Sequence, residues 1–82
     1  MNPKVGIIGY GEIGKSIEEV YKESTNIIPE IKDLYQEGDL YNSEYIHMCI
    51  PYTSKFIQIV KEYYFKYNPK YFPVLLVARF AR

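Results

Sequence analysis

Three glycines at the spacing G-x-G-x-x-G constrain this chain more than any other feature. They are Gly9, Gly11 and Gly14, and they follow the apolar run Val5-Gly6-Ile7-Ile8 without a break. From Glu12 onward the period changes. Ile13, Ile17, Val20 and Tyr21 recur at i, i+4, i+7 and i+8, the spacing of one helical face, while Lys15, Glu18, Glu19, Lys22 and Glu23 take the rest. A strand, a glycine turn and a helix therefore follow one another directly. A nearly continuous apolar strand is expected to be covered on both faces, so the turn belongs at the end of a buried sheet strand.

The remaining sequence sets how much sheet accompanies it. Pro3 to Gly9 reads as strand one, in which Gly6 leaves room for a helix to approach, and Glu12 to about Ser24 reads as helix one. Asn26 to Asp33 reads as strand two, with Ile27, Ile28 and Ile31 interrupted by Pro29. Proline cannot donate to a ladder, so this strand is expected at an edge. Leu34 to Ser43 contains Gly38-Asp39 and many polar groups and reads as a loop. A further helix and strand would need roughly 20 or more residues here, so a strand beyond strand two is expected to be missing. Glu44 to Ile50 reads as a central strand, apolar on both faces and closed by Pro51-Tyr52. Thr53 or Ser54 can cap a helix running to about Tyr67, with Phe56, Val60, Tyr63 and Tyr67 as its buried stripe and Ile57 and Tyr64 beside it. Asn68-Pro69 stops that helix, and Tyr71 to Ala78 reads as the last strand. Right-handed crossovers between parallel strands then predict an α/β fold with a four-stranded parallel sheet in the order 2-1-3-4.

Size and charge exclude several classes. A single domain of 82 residues is expected, and at this size only about 60% of the unfolded surface is buried on folding. Lys plus Arg number 10 and Asp plus Glu number 10, so no general attraction to nucleic acid or to acidic membranes is indicated. The tyrosines of the second helix, Tyr63 to Tyr67, read as a mixed core and interface face rather than a base-stacking platform. No apolar stretch reaches the roughly 18 residues of a membrane span, and the N-terminus lacks a signal-peptide layout. Cys49 is the only cysteine, so no intramolecular disulfide can form. A buried, reduced thiol fits a cytoplasmic protein. His47, the only histidine, is expected as a packed, hydrogen-bonded residue in mid-strand, and no metal site is indicated.

In this setting each glycine has a physical task. Gly9 permits the tight turn, Gly11 lets the backbone approach a pyrophosphate, and Gly14 lets the helix pack closely on the sheet. Tyr10, Glu12 and Ile13 contribute backbone N–H groups at the positive end of the helix dipole. Asp33 lies 19 residues beyond Gly14, near the interval of about 20 at which an acidic residue meets the ribose hydroxyls. It favours NAD over NADP, because a 2′-phosphate would be repelled. Lys32 beside it acts in the opposite sense, and Glu30 is a second candidate if the strand ends at Pro29. Gly9 to Ser16 also fits G-x-x-x-x-G-K-[ST], in which Lys15 would meet phosphates and Ser16 a Mg²⁺ ion. That reading needs a strand ending in an acidic metal ligand, whereas the Tyr45 strand ends in Ile50-Pro51. Gly11 and Asp33 favour the dinucleotide.

Val5 to Gly14, Asp33 and Tyr45-Ile46-His47-Met48-Cys49-Ile50-Pro51 together resemble the N-terminal NAD-binding half-domain of two dehydrogenase groups. These are the UDP-glucose and GDP-mannose 6-dehydrogenases and the 6-phosphogluconate and 3-hydroxyisobutyrate dehydrogenases. The resemblance implies an abbreviated Rossmann-like, three-layer fold in which Ile50, Pro51 and Tyr52 line the nucleotide cleft. The chain departs from those families in lacking the strand-three unit and in ending soon after Val74-Leu75-Leu76-Val77. Neither the half that holds the nicotinamide nor a substrate domain with a catalytic Lys, Cys or His is therefore expected. The expectation is a truncated descendant, a gene fragment or a frameshifted product that binds the ADP portion of NAD, or retains the remains of that function, without being an enzyme alone. A structural or assembly module is the alternative, because the open edge of the last strand invites a homodimer through that edge or a helix face.

Overall fold

The computed structural model describes residues 2–51 and 53–77. It is an α/β structure of β1 (Val5–Ile8), α1 (Glu12–Ser24), β2 (Glu30–Lys32), β3 (Tyr45–Pro51), α2 (Phe56–Tyr67) and β4 (Val74–Val77). β1 lies in the middle of a parallel sheet. Its Ile7 stands opposite Ile31 of β2 on one side and opposite His47 of β3 on the other. The far edge of β3 pairs in parallel with β4, Cys49 opposite Leu75.

Alternation along β1 divides the core in two, since successive strand residues point to opposite faces. Ile7 joins Ile31 and Cys49, with Tyr10 and Ile17 packed on them, which is the side covered by α1. Ile8 joins Leu40, Ile46, Met48 and Tyr67, with Ile59, Val60 and Tyr63 of α2 against them. Each helix thus covers one face. The crossovers leave β1 and β3 in opposite directions, and a right-handed connection then places the helices on opposite sides.

Several boundaries differ from the expectations. β2 begins only after Pro29, which is buried but outside the ladder. Its missing N–H therefore has no bearing on where β2 sits. Thr25 explains the shortening. Its N–H donates to the Tyr21 carbonyl at 2.9 Å and its hydroxyl accepts from the Ile27 N–H at 3.0 Å, a local turn that competes with extended pairing. α1 has the expected bounds, yet its apolar stripe is wider than the surface beneath it. Ile17 reaches the core, Val20 is 61% exposed, and Gly14 is the helix's only buried residue.

The connection from β2 to β3, expected as a loop, carries a core residue. Leu40 is fully buried, and a Cβ at Gly6 would lie 2.0 Å from its Cδ2. Gly6 makes room for this leucine rather than for a helix. Lys55 stands at the N-cap of α2, with no side-chain cap bond. Thr53 instead forms the preceding turn, its carbonyl accepting from the Phe56 N–H at 3.0 Å. Ser54 likewise does not cap it. At the other end Asn68 takes a left-handed conformation, φ 47°, and closes α2 with an N–H bond to the Tyr64 carbonyl. β3 continues through Pro51, and β4 starts at Val74 because Pro73 offers only its carbonyl, which accepts from Met48 at 2.9 Å. Tyr71 contributes one isolated bridge to Tyr45, and Ala78 lies outside the described residues. Among the described residues no helix is long and apolar enough to cross a membrane.

Leu40→Ala is expected to destabilise the fold by about 2–5 kcal/mol, the usual cost of emptying a buried leucine site. Urea unfolding followed by circular dichroism would show the loss, and a change below about 1 kcal/mol would mean that the connection is not part of the core.

Candidate functional site

The site grows out of the end of β1. The Gly9 N–H donates to the Lys32 carbonyl at 2.9 Å, which carries the β1–β2 pairing one residue past the strand. Asp33 is thereby held beside the glycine turn. On the opposite side Gly9 lies against β3, where a Cβ would come within 2.0 Å of the Cys49 carbonyl oxygen, and its φ is +96°. Both facts require glycine at position 9. Gly14 is buried one turn into α1, and a Cβ there would be 2.1 Å from the Gly9 carbonyl oxygen.

Gly11 differs from both. It is exposed, and a Cβ built on it meets nothing within 4 Å. Packing does not require its bareness. Gly11 is also the N-cap of α1 and supplies no side-chain cap, so the first N–H groups of the helix face open space with the positive end of the dipole behind them.

Two adjoining cavities meet at this turn. One, of about 470 Å³, is lined by Gly9, Tyr10, Gly11, Glu12, Ile13, Gly14, Asp33, Leu34, Cys49, Ile50 and Pro51. The other, of about 440 Å³, shares Gly9, Asp33, Leu34, Ile50 and Pro51 and adds Lys32, Glu37, Thr53 and Tyr63 among others. Together they occupy the carboxyl ends of β1, β2 and β3, where the chain leaves β1 towards one face and β3 towards the other. Ligands of open parallel sheets occupy such switch points.

The structure therefore brings Gly9 to Gly14, Asp33, Ile50 and Pro51 together on one cavity. Tyr52 lies outside the described residues. Glu30 does not line either cavity. It begins β2, and its carboxylate accepts from the Asp39 N–H at 3.1 Å. Lys15 and Ser16 are turned elsewhere. The Lys15 ammonium sits 5.6 Å from the centre of the Tyr10 ring, and the Ser16 hydroxyl donates to the Glu12 carbonyl at 2.9 Å. Neither lines the cavities at the turn. Sequence reasoning missed Leu34, Glu37, Thr53 and Tyr63 as lining residues. Adjacency to Asp33 is a signal for Leu34, whereas the other three arrive through turns and a helix on separate elements.

Polar contacts fix the side chains around the turn. The Tyr10 hydroxyl donates to the Glu18 carboxylate, which raises the phenol's pKa and lowers that of the carboxyl. Glu18 also pairs with Lys22 at 3.2 Å. Burial pushes the Cys49 thiol up, so it is held as the neutral thiol. On the α1 face, Tyr21 and His47 share a hydrogen bond of 2.8 Å, and burial pushes His47 below its usual value of 6.5. His47 is thus packed and hydrogen-bonded.

Alanine at the three glycines should separate structure from binding. Gly9→Ala and Gly14→Ala are each expected to cost at least about 2 kcal/mol, from positive φ or backbone overlap, while Gly11→Ala stays within about 1 kcal/mol. In a domain of this size that difference is at least several degrees in melting temperature. Equal losses at all three positions would show that Gly11 is also a packing residue.

His47 gives a pH dependence. The folded state binds its proton less readily than the unfolded chain, so stability is retained above about pH 6.5 and declines as pH falls through 6.5 towards the depressed folded value. Melting temperature measured against pH should fall less steeply in this window for His47→Gln than for the unaltered protein. Identical slopes would remove His47 as the cause.

Comparison with known proteins leaves the geometry to stand by itself: no protein family matches the chain, and neither a curated protein nor a solved structure matches it.

Proposed function

We propose that this chain is an abbreviated Rossmann-like half-domain that binds the ADP portion of NAD, a three-layer fold whose parallel sheet is read in the order β2-β1-β3-β4. The observation that carries the reading is the contrast within the glycine turn. Gly9 and Gly14 are bare because protein atoms crowd them, whereas Gly11 is bare in front of open space. A pyrophosphate there would be met by the N–H groups of the first turn of α1. Asp33, on the same cavity, would accept the ribose hydroxyls, and Leu34, Ile50 and Pro51 would supply apolar walls for the adenosine.

In this reading the parent families are the UDP-glucose and GDP-mannose 6-dehydrogenases and the 6-phosphogluconate and 3-hydroxyisobutyrate dehydrogenases, whose N-terminal half-domain the glycine turn and the Tyr45–Pro51 strand resemble. The assignment to this chain is binding and not hydride transfer. The ionisable groups among the described lining residues are the carboxylates of Glu12, Asp33 and Glu37, the Lys32 ammonium paired with Glu37, the phenols of Tyr10 and Tyr63 and the neutral Cys49 thiol. The single buried thiol supports a reducing, cytoplasmic setting.

Titration calorimetry with NAD tests the reading. Binding is expected, and Gly11→Leu should weaken it at least about tenfold, a loss of about 1.4 kcal/mol, without lowering the melting temperature. Mg²⁺-dependent ATP binding that disappears in Lys15→Ala would replace the dinucleotide with a nucleoside triphosphate. Absence of binding by both would leave the assembly reading. That second reading has its own observation: Ile57 and Phe65 are exposed on the outer side of α2, around a shallow depression they share with Lys61 and Glu62. A homodimer through this face or the edge of β4 would appear in multi-angle light scattering, and Phe65→Glu should abolish it if α2 is the interface.

A further inference from the structure

The acidic side of the cavity contains one feature that the glycine turn does not explain. Immediately after β2 the chain reverses. Asp33 and Gln36 exchange backbone bonds, Asp33 N–H to the Gln36 carbonyl at 2.8 Å and the return bond at 3.4 Å. The Gly38 N–H then donates to the Ile31 carbonyl at 2.7 Å. A Cβ at Gly38 would lie 2.5 Å from that carbonyl oxygen, so the return is as close as a bare backbone allows. Lys32 and Glu37 consequently form an antiparallel bridge, directly opposite each other. Residues so paired project to the same face, and their side chains form an ion pair. The position of Glu37 is set by the backbone of the turn, and Asp39 is anchored to the Glu30 carboxylate just beyond it.

The pair lines the cavity beside Asp33. The Lys32 side chain is only 14% exposed and that of Glu37 is 77% exposed. Among the described residues that line the two cavities, Lys32 is the one cation, while Glu12, Asp33 and Glu37 are acids. A lysine next to the ribose-binding acid is the kind of point charge that accepts a phosphate. Here its ammonium is already engaged.

We infer that Glu37 sets the site's preference against a 2′-phosphorylated ribose, by holding Lys32 in an ion pair and so withholding the one cation that the described lining residues could offer the phosphate. The inference rests on the dinucleotide reading above and makes Glu37 a specificity-determining residue. An unphosphorylated ribose needs only the acceptor oxygens of Asp33. A 2′-phosphate would face Asp33 and Glu37 with no free positive charge among the described lining residues to offset them.

The test is calorimetric titration of NAD and NADP into the unaltered protein, Glu37→Gln and the double variant Glu37→Gln with Lys32→Met. Glu37 is exposed, so its amide leaves the packing intact, and circular dichroism checks that it does. The unaltered protein is expected to bind NAD at least about tenfold more tightly than NADP, the scale of one charge-assisted bond. In Glu37→Gln that ratio should shrink about tenfold, mainly through tighter NADP binding, and the double variant should restore the original preference. An unchanged ratio in Glu37→Gln overturns the inference while NAD binding keeps the site. A shrunken ratio that persists in the double variant also overturns it, because Glu37 would then act by its own charge and not through Lys32. Binding of neither ligand removes the dinucleotide reading itself and this inference with it.

Discussion

The structure depends on a backbone-to-backbone approach at the end of β1. Gly14 of α1 sits on the Gly9 carbonyl, and Gly9 in turn sits against the Cys49 carbonyl of β3. Three elements meet there without a side chain between them. Interiors are packed as tightly as organic crystals, so a single Cβ at either contact would displace main chain and not merely a rotamer. This contact sets the height at which α1 starts, and hence where its first N–H groups are presented. It also keeps the end of β3 close enough for Ile50 and Pro51 to form the far wall of the cavity.

The chemistry of the site is what remains uncovered once that contact has formed. Gly11 faces open space, and the helix behind it has no side-chain cap. An uncapped helix end at the carboxyl edge of a parallel sheet is a place of unspent hydrogen-bonding capacity and positive potential. The surrounding charges are arranged differently. Glu18 is tied to Tyr10 and Lys22, and Lys32 is tied to Glu37. Asp33 lines both cavities. Glu12 lines the cavity at the turn as well, so the described lining carries three acids and one paired cation.

Much of the fold could be read from pattern. The bounds of α1, the left-handed stop at Asn68 and the apolar character of β3 follow from local periodicity and from residues with narrow conformational preferences. What failed was decided by hydrogen bonds and contacts that periodicity does not encode. Strand two shrank because Thr25 offers its neighbours hydrogen bonds that extended chain would have to replace. Leu40 looked like a loop residue, because its burial depends on the missing side chain of Gly6, a strand residue far from it in sequence. Val20 fitted the apolar stripe of α1 and yet is exposed, at an open depression it shares with Ile17, Tyr21 and His47.

For the candidate site the division is similar. The sequence by itself determined the turn and its helix, since three glycines between an apolar strand and an amphipathic segment admit few backbone paths. It also located Asp33, because a crossover helix of that length returns the chain beside β1 after a near-constant interval. Only the tertiary structure decided which glycine faces a vacant space, because crowding at Gly9 and Gly14 comes from main chain that folds onto them. It alone decided that Lys32 is neutralised by Glu37 and that Glu30 is turned away, since both follow from a reverse turn whose closure depends on a bare backbone at Gly38.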